Sequence, residues 1–146
     1  MLNKFLINAE LSKNPWLHLI LDRPRIIANI AAISRLACAV NIALHVCGPL
    51  IFERKDKTRW HSSLDYLKET KIHFHLDIRR CIKLINRKPW LIEIGSIIMP
   101  LQTKISINDV LILGPENNNI SATIQKAYIC KIITFPHLGP ARSLNL

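Results

Sequence analysis

A chain of 146 residues has room for one domain and one core, and a domain of that size buries roughly two thirds of its unfolded surface. Hydrophobic residues make up 49% of it and the mean hydropathy is +0.18, with Ile and Leu gathered in short runs that suit parallel strands covered on both faces. Twenty Lys and Arg stand against ten Asp and Glu, a net charge of +10 that favours a polyanionic partner such as RNA; a basic, solvated surface is the plainer alternative. A membrane span is not expected, because Asn29, Ser34, Arg35, Asn41 and His45 interrupt the apolar stretch from Ile26 to Phe52 and Gly48-Pro49 closes it early. Asn8, Glu10 and Lys13 break any signal-peptide core, so the expected compartment is the cytoplasm. Cys38, Cys47, Cys81 and Cys130 have no metal-ligand spacing and read as free, mostly buried thiols.

In chain order, residues 1–16 read as an N-terminal extension and residues 17–146 as the domain. His18 to Leu21 is a short strand closed by Asp22-Arg23-Pro24. Asn29 is placed as the N-cap of a helix from Ile30 to about Val40, and Ala43 to Cys47 as a second strand. Glu53 to Ser63 is expected to be helical in part. Ile72 to Leu76 alternates as a half-buried strand does, Ile78 to Ile85 suits a helix and Trp90 to Ile94 a strand. Val110 to Leu113, Ser121 to Tyr128 and Ile132 to Phe135 complete the pattern as strand, helix and strand. Strands alternating with helices predict an α/β fold with a mostly parallel sheet.

Three segments carry candidate chemistry. In the first, Asn29 through Arg35 run from a Pro-containing loop into a helix, where an Asn and an Arg six residues apart lie near one another and would hold a phosphate or ribose beside a helix start. Taken alone, a capping Asn and an exposed Arg is the simpler reading. The second, Leu113-Gly114-Pro115-Glu116 through Ile120, leaves a strand and enters a helix. Gly114 allows close backbone approach, Glu116 offers a carboxylate near a helix start, and Asn119 tolerates a left-handed backbone. An ordinary Gly-Pro turn with an Asn-rich cap is about as good a reading of that segment by itself. The third is the irregular stretch from Phe135 to Leu146, in which the sequence ends.

In their order and spacing these segments resemble the SpoU/TrmH methyltransferases of the SPOUT superfamily. The similarity is greatest to single-domain enzymes that 2′-O-methylate the tRNA wobble nucleotide. The family's Pro-x-Ile-Pro-x-Asn-x-Gly-Asn-Ile-x-Arg is answered by Pro24 through Arg35, and its Leu-His strand with Pro-Leu-Gly-Phe by Leu44 through Phe52. Asp56-Lys57 and Leu64-Asp65-Tyr66 follow, then Leu113 through Ile120, and finally Phe135-Pro136-His137 with Arg142 through Leu146. The resemblance covers residues 17–146 and implies an α/β-knot with helices on both faces of a mostly parallel sheet. It also implies a C-terminal trefoil knot that cradles S-adenosyl-L-methionine, a homodimer, and an RNA substrate, tRNA above all.

By position, the resemblance assigns Arg35 as the group that activates the ribose 2′-hydroxyl, with Asn29 in support. It assigns Ile92, Gly114, Glu116, Phe135, Ser143, Leu144 and Asn145 to the cofactor, and His61, Tyr66 and Arg142 to RNA. The sequence departs from the family at Ala31, His61, Ser62-Ser63 and Asn119, and it ends within Ser-Leu-Asn-Leu, before the family's last helix. The expectation is therefore an incomplete knot, with a non-catalytic, basic RNA-binding relative as the alternative to an active enzyme. His73 and His75 share one face of a strand with Cys81 nearby; an exposed strand edge is expected there rather than a metal site.

Overall fold

The first strand sets the layering. In the computed structural model, which describes residues 15–49, 72–93, 98–128 and 131–136, β1 (Leu17–Asp22) is buried along its whole length. Its alternate residues feed two separate cores, as the period-two geometry of a strand requires. Leu17, Leu19 and Leu21 face one way, into a cluster with Ile30, Ile33 and Ala37 of α1 (Ile27–Ala39) and with Leu44 and Val46 of β2 (Ala43–Cys47). Ile20 faces the other way, with Ile78, Cys81 and Ile82 of α2 (Ile78–Ile85) and Ile124 of α3 (Ala122–Tyr128). Removing a wholly buried branched side chain from either layer, such as Ile30 from one or Ile20 from the other, would cost about 2–5 kcal/mol, so both layers are needed for the fold.

The remaining strands are β3 (Ile72–His75), β4 (Pro89–Ile92), β5 (Asp109–Leu113) and β6 (Lys131–Ile133), with a 3-10 turn at Pro100–Gln102. The sheet order is β3-β2-β1-β5-β4-β6, and every pairing is parallel. The expected α/β layering with helices on both faces is thus observed. From β1 the chain builds outward through β2 and β3, then returns to lay β5 on the other side of β1. That reversal puts the loops after β1 and β5 side by side at the carboxyl ends of their strands, where open α/β sheets bind ligands.

One local expectation is corrected. Helix α1 starts at Ile27 with Ile26 as its N-cap, so Asn29 sits inside the first turn and is not the cap. Ile26 has no side-chain oxygen with which to cap, and a carboxylate from a distant loop takes over that role. Asn119 is not left-handed; among the described non-glycine residues Arg23, Asn41, Asn86 and Asn108 are. Helix α2 behaves as its sequence dictates: Asp77 accepts from the backbone N–H of Arg80 at 2.9 Å, and left-handed Asn86 closes the other end. No described helix is long and apolar enough to cross a membrane. The expected helical part of Glu53 to Ser63 lies outside the described residues, as do residues 1–14 of the N-terminal extension. Trp16 is tied to the domain: its indole donates to the Val40 carbonyl at 2.6 Å, and its own carbonyl accepts from Asn108 at 2.8 Å.

Candidate active site

Glu116 joins the two loops that the sheet order brings together. Its carboxylate accepts from the backbone N–H of Arg25 at 2.9 Å, the backbone N–H of Ile26 at 3.1 Å and the Asn29 side-chain amide at 3.2 Å. Ile26 is the N-cap of α1, so Glu116 does from across the sheet what the N3 glutamate of a capping box does locally. A negative charge there also complements the helix dipole. Desolvation raises the Glu116 pKa, but the hydrogen bonds from Arg25, its own backbone, Ile26 and Asn29 outweigh it, and the net shift is downward. Glu116 is therefore a tie between loops whose lone pairs are already engaged, and not the open carboxylate near α3 that its place in the sequence suggested.

Around this tie the strand ends are laid out in order. Gly114 follows β5, and a Cβ there would lie 3.2 Å from Cγ1 of Ile120 and 3.5 Å from the Asn118 carbonyl oxygen. A hydrogen atom at this position lets the 115–120 loop fold back tightly over the strand end. Glu93, just after β4, fixes the far side of that loop by accepting from the Ile120 N–H at 3.1 Å and the Gln125 amide at 3.4 Å. Ile92 is half-buried at the end of β4, and Phe135 is exposed two residues beyond β6. Asn29 is buried and turned to Glu116, whereas Arg35 is exposed on α1 about 9 Å further along the helix axis. The first motif thus faces two ways: its Asn braces the loops and its Arg projects from the helix surface.

The profile of the SpoU rRNA methylase family matches residues 16–146. The chain belongs to the SpoU rRNA methylase family. It is 27% identical over 132 residues to a tRNA (cytidine(34)-2′-O)-methyltransferase of Saccharophagus degradans, covering 88% of this chain and 85% of that protein. Over 59 residues it is 41% identical to a Geobacillus stearothermophilus protein provisionally named for the same activity, a match spanning 40% of this chain and 38% of that one. Among solved structures, one concerned with 2-OH methylation of C/U34 on tRNA superposes with a TM-score of 0.77 at 24% identity, over 90% of this chain and 86% of that one. The SpoU methyltransferase AviRb of Streptomyces viridochromogenes, solved in complex with AdoMet, gives 0.73 at 20% identity over 92% of this chain and 56% of that one. These likenesses establish the fold of a SpoU methylase.

Of the site residues read from the sequence, the structure gathers Asn29 and Glu116 directly, and sets Gly114, Ile92 and Phe135 at the ends of β5, β4 and β6. Ser143, Leu144, Asn145, His61, Tyr66 and Arg142 lie outside the described residues. Sequence reasoning missed Glu93, whose partners are 27 and 32 residues away.

It also misjudged the histidines. His73 is 5% exposed and His75 half-buried, so they do not form the exposed strand edge expected for them. Adjacent strands bring further polar side chains to the same place: His45 bonds His18 through Nε2 and His75 through Nδ1, each at 2.9 Å, and stacks on His73. Burial and the neighbouring His45 push the His18 pKa down to about 4, which keeps it neutral. Beneath α2, the Cys81 thiol is hydrogen-bonded to Cys47, His45 and His75; the Cys47 contact lowers its pKa against desolvation, while that of Cys47 is raised. The signal that was available is strand alternation, which puts His45 with Cys47 and His73 with His75.

Proposed function

We propose that this SpoU methylase transfers a methyl group from S-adenosyl-L-methionine to a ribose 2′-hydroxyl of RNA, with the tRNA wobble nucleotide as its substrate. The observation that carries the reading is the Glu116 tie, which brings the first and second family motifs onto one loop pair at the sheet's reversal point. The described residues suit the cofactor. Ile92 and Phe135 offer apolar surface for an adenine at adjacent strand ends, and Gly114 lets the 115–120 loop fold back tightly at the end of β5 beside them. Ser143, Leu144 and Asn145 complete the proposed set on the family's pattern. Bound there, S-adenosyl-L-methionine supplies an electrophilic methyl on a sulfonium sulphur.

The protein's own work is orientation and charge. Arg35 carries a fixed positive charge on the exposed side of α1, and we assign it to the ribose, where it favours the ionised 2′-hydroxyl as nucleophile. Asn29 acts through Glu116 as a positioning residue. Holding hydroxyl and methyl donor in line is where most of the rate enhancement of such a reaction arises. His61, Tyr66 and Arg142 are assigned to RNA, and the working unit is a homodimer in the cytoplasm. The named activities of the relatives support wobble-position specificity.

The test incubates the protein with methyl-labelled S-adenosylmethionine and tRNA lacking modification at position 34, followed by nucleoside mass spectrometry. Label in 2′-O-methylcytidine or 2′-O-methyluridine from that position is expected. Salt-sensitive tRNA binding with no transfer to any RNA would replace this reading with a non-catalytic RNA-binding relative.

A further inference from the structure

The histidine and cysteine cluster lies at the β2–β3 side of the sheet, under α2 and away from the loop pair that carries the proposed methyl-transfer site. The cross-strand register explains how it forms. Ile20, His45 and His73 lie in one row across β1, β2 and β3, and Asp22, Cys47 and His75 in the next. Cys81 reaches the same face from α2, three residues beyond the start of that helix. Nδ1 of His45, Nε2 of His75 and Sγ of Cys81 all lie within 4.8 Å of one another. Cys47 is on the same face, two residues along β2 from His45, and its thiol touches Cys81 without lying within 4.8 Å of all three atoms.

We propose that His45, His75 and Cys81 hold a zinc ion that fastens β2, β3 and α2 together, with Cys47 turning in as the fourth ligand of a tetrahedron. Two imidazole nitrogens and two thiolates are the donor set of closed structural zinc sites, which favour this borderline-soft ion. In such a tetrahedron neighbouring donor atoms are about 3.3–3.8 Å apart, given zinc–nitrogen and zinc–sulphur bonds of about 2.0–2.3 Å. The two nitrogens are now 2.9 Å apart. The three gathered donors therefore need only small side-chain movements to close on an ion, and Cys47 a larger rotation to join them. His45, Cys47 and Cys81 are completely buried, and half-buried His75 leaves a side for entry. His18 supplies the outer contact that zinc-bound imidazoles require: with His45 ligating through Nδ1, its Nε2–H donates to Nδ1 of His18. Zinc displaces the two thiol protons to solvent and no electrons move.

The experiment uses the full chain, purified under reducing conditions without a polyhistidine tag or chelator. Elemental analysis is expected to find zinc equimolar with protein. Cobalt(II) exchanged into the protein should give the absorption of a tetrahedral ion together with thiolate-to-cobalt charge transfer. Cys81→Ser and Cys47→Ser should each lower the charge-transfer intensity, and Cys38→Ser, on the opposite face of the sheet in α1, should leave it unchanged. Because the ligand variants are also core substitutions, the outer contact gives a milder arm. His18→Leu should weaken zinc binding about 10–100-fold, and His18→Gln, whose amide oxygen accepts the same hydrogen bond, should restore it. Reduced, folded protein that holds no zinc and takes up no cobalt overturns the proposal, as does a cobalt spectrum without thiolate charge transfer. Zinc affinity unmoved by His18→Leu places the ion elsewhere and overturns it too.

Discussion

Glu116→Ala tests the loop tie most directly. The substitution removes three hydrogen bonds to one carboxylate, two from backbone N–H groups and one from the Asn29 amide. Bonds to a charged acceptor contribute about 1.5–3 kcal/mol each when buried, but Glu116 is only half-buried, so water takes over part of what is lost. Removing a side-chain N-cap costs about 0.5–2 kcal/mol, and here the donors include the N-cap residue of α1. We expect a loss of about 2 kcal/mol, or roughly 4–8 °C in Tm for a domain of this size. Glu116→Gln, which keeps one acceptor oxygen but no charge, should lose about half of that. Urea unfolding followed by circular dichroism measures both. The pH dependence is fixed in sign: the folded-state pKa is lowered from 4.5, so the stabilisation is fully present above about 4.5 and fades as pH falls through the lower folded value. Wild type and Glu116→Ala should therefore converge in strong acid. A difference under about 0.5 kcal/mol at neutral pH, or one that grows on acidification, would refute the tie.

Three further outcomes follow from named residues. Arg35→Ala should abolish methyl transfer while leaving S-adenosylmethionine affinity nearly unchanged by calorimetry; equal loss of both would count against its assignment to the ribose. Gly48→Ala should destabilise by more than about 1 kcal/mol in denaturant unfolding, because φ is +93° there and the new Cβ would lie 2.5 Å from Cγ of Arg23. Asp77→Ala should cost about 1 kcal/mol through the cap of α2, and Asp77→Asn much less; equal effects of the two would show that charge, and not capping, matters.

The sequence made the layering legible because strand alternation and helical spacing are local signals. Ile78–Ile85 was read to the residue, since Asp77 and Asn86 mark its ends chemically. The start of α1 was not, for a physical reason. Its cap partner is Glu116, 90 residues from Ile26, and no local rule points from one to the other. The same distance hid the role of Glu116, which in isolation reads as a carboxylate waiting for a ligand. The histidines show the limit of period-two reasoning: it pairs His73 with His75, but only the register of β1, β2 and β3 adds His18, His45 and Cys47. By residue type Asn119 tolerates a left-handed backbone, yet it is Asn41, Asn86 and Asn108 that adopt one. Residue type permits that conformation, and the neighbouring chain path decides where it occurs.

Among the described residues, each carboxylate is held by the protein itself. Asp22 pairs with Arg23, Asp77 caps α2, Glu93 and Glu116 hold loop N–H groups, and Asp109 accepts from the Trp90 indole and the Ser106 N–H. Three of these five lie beside strands β4 and β5, where turns and loops leave backbone donors without ladder partners. Meanwhile every Lys and Arg among the described residues is exposed. Among the described residues, four of the five carboxylates satisfy backbone donors, while the Lys and Arg side chains stand exposed. With those carboxylates engaged by the protein's own donors, the exposed basic side chains around them give a field suited to a polyanion.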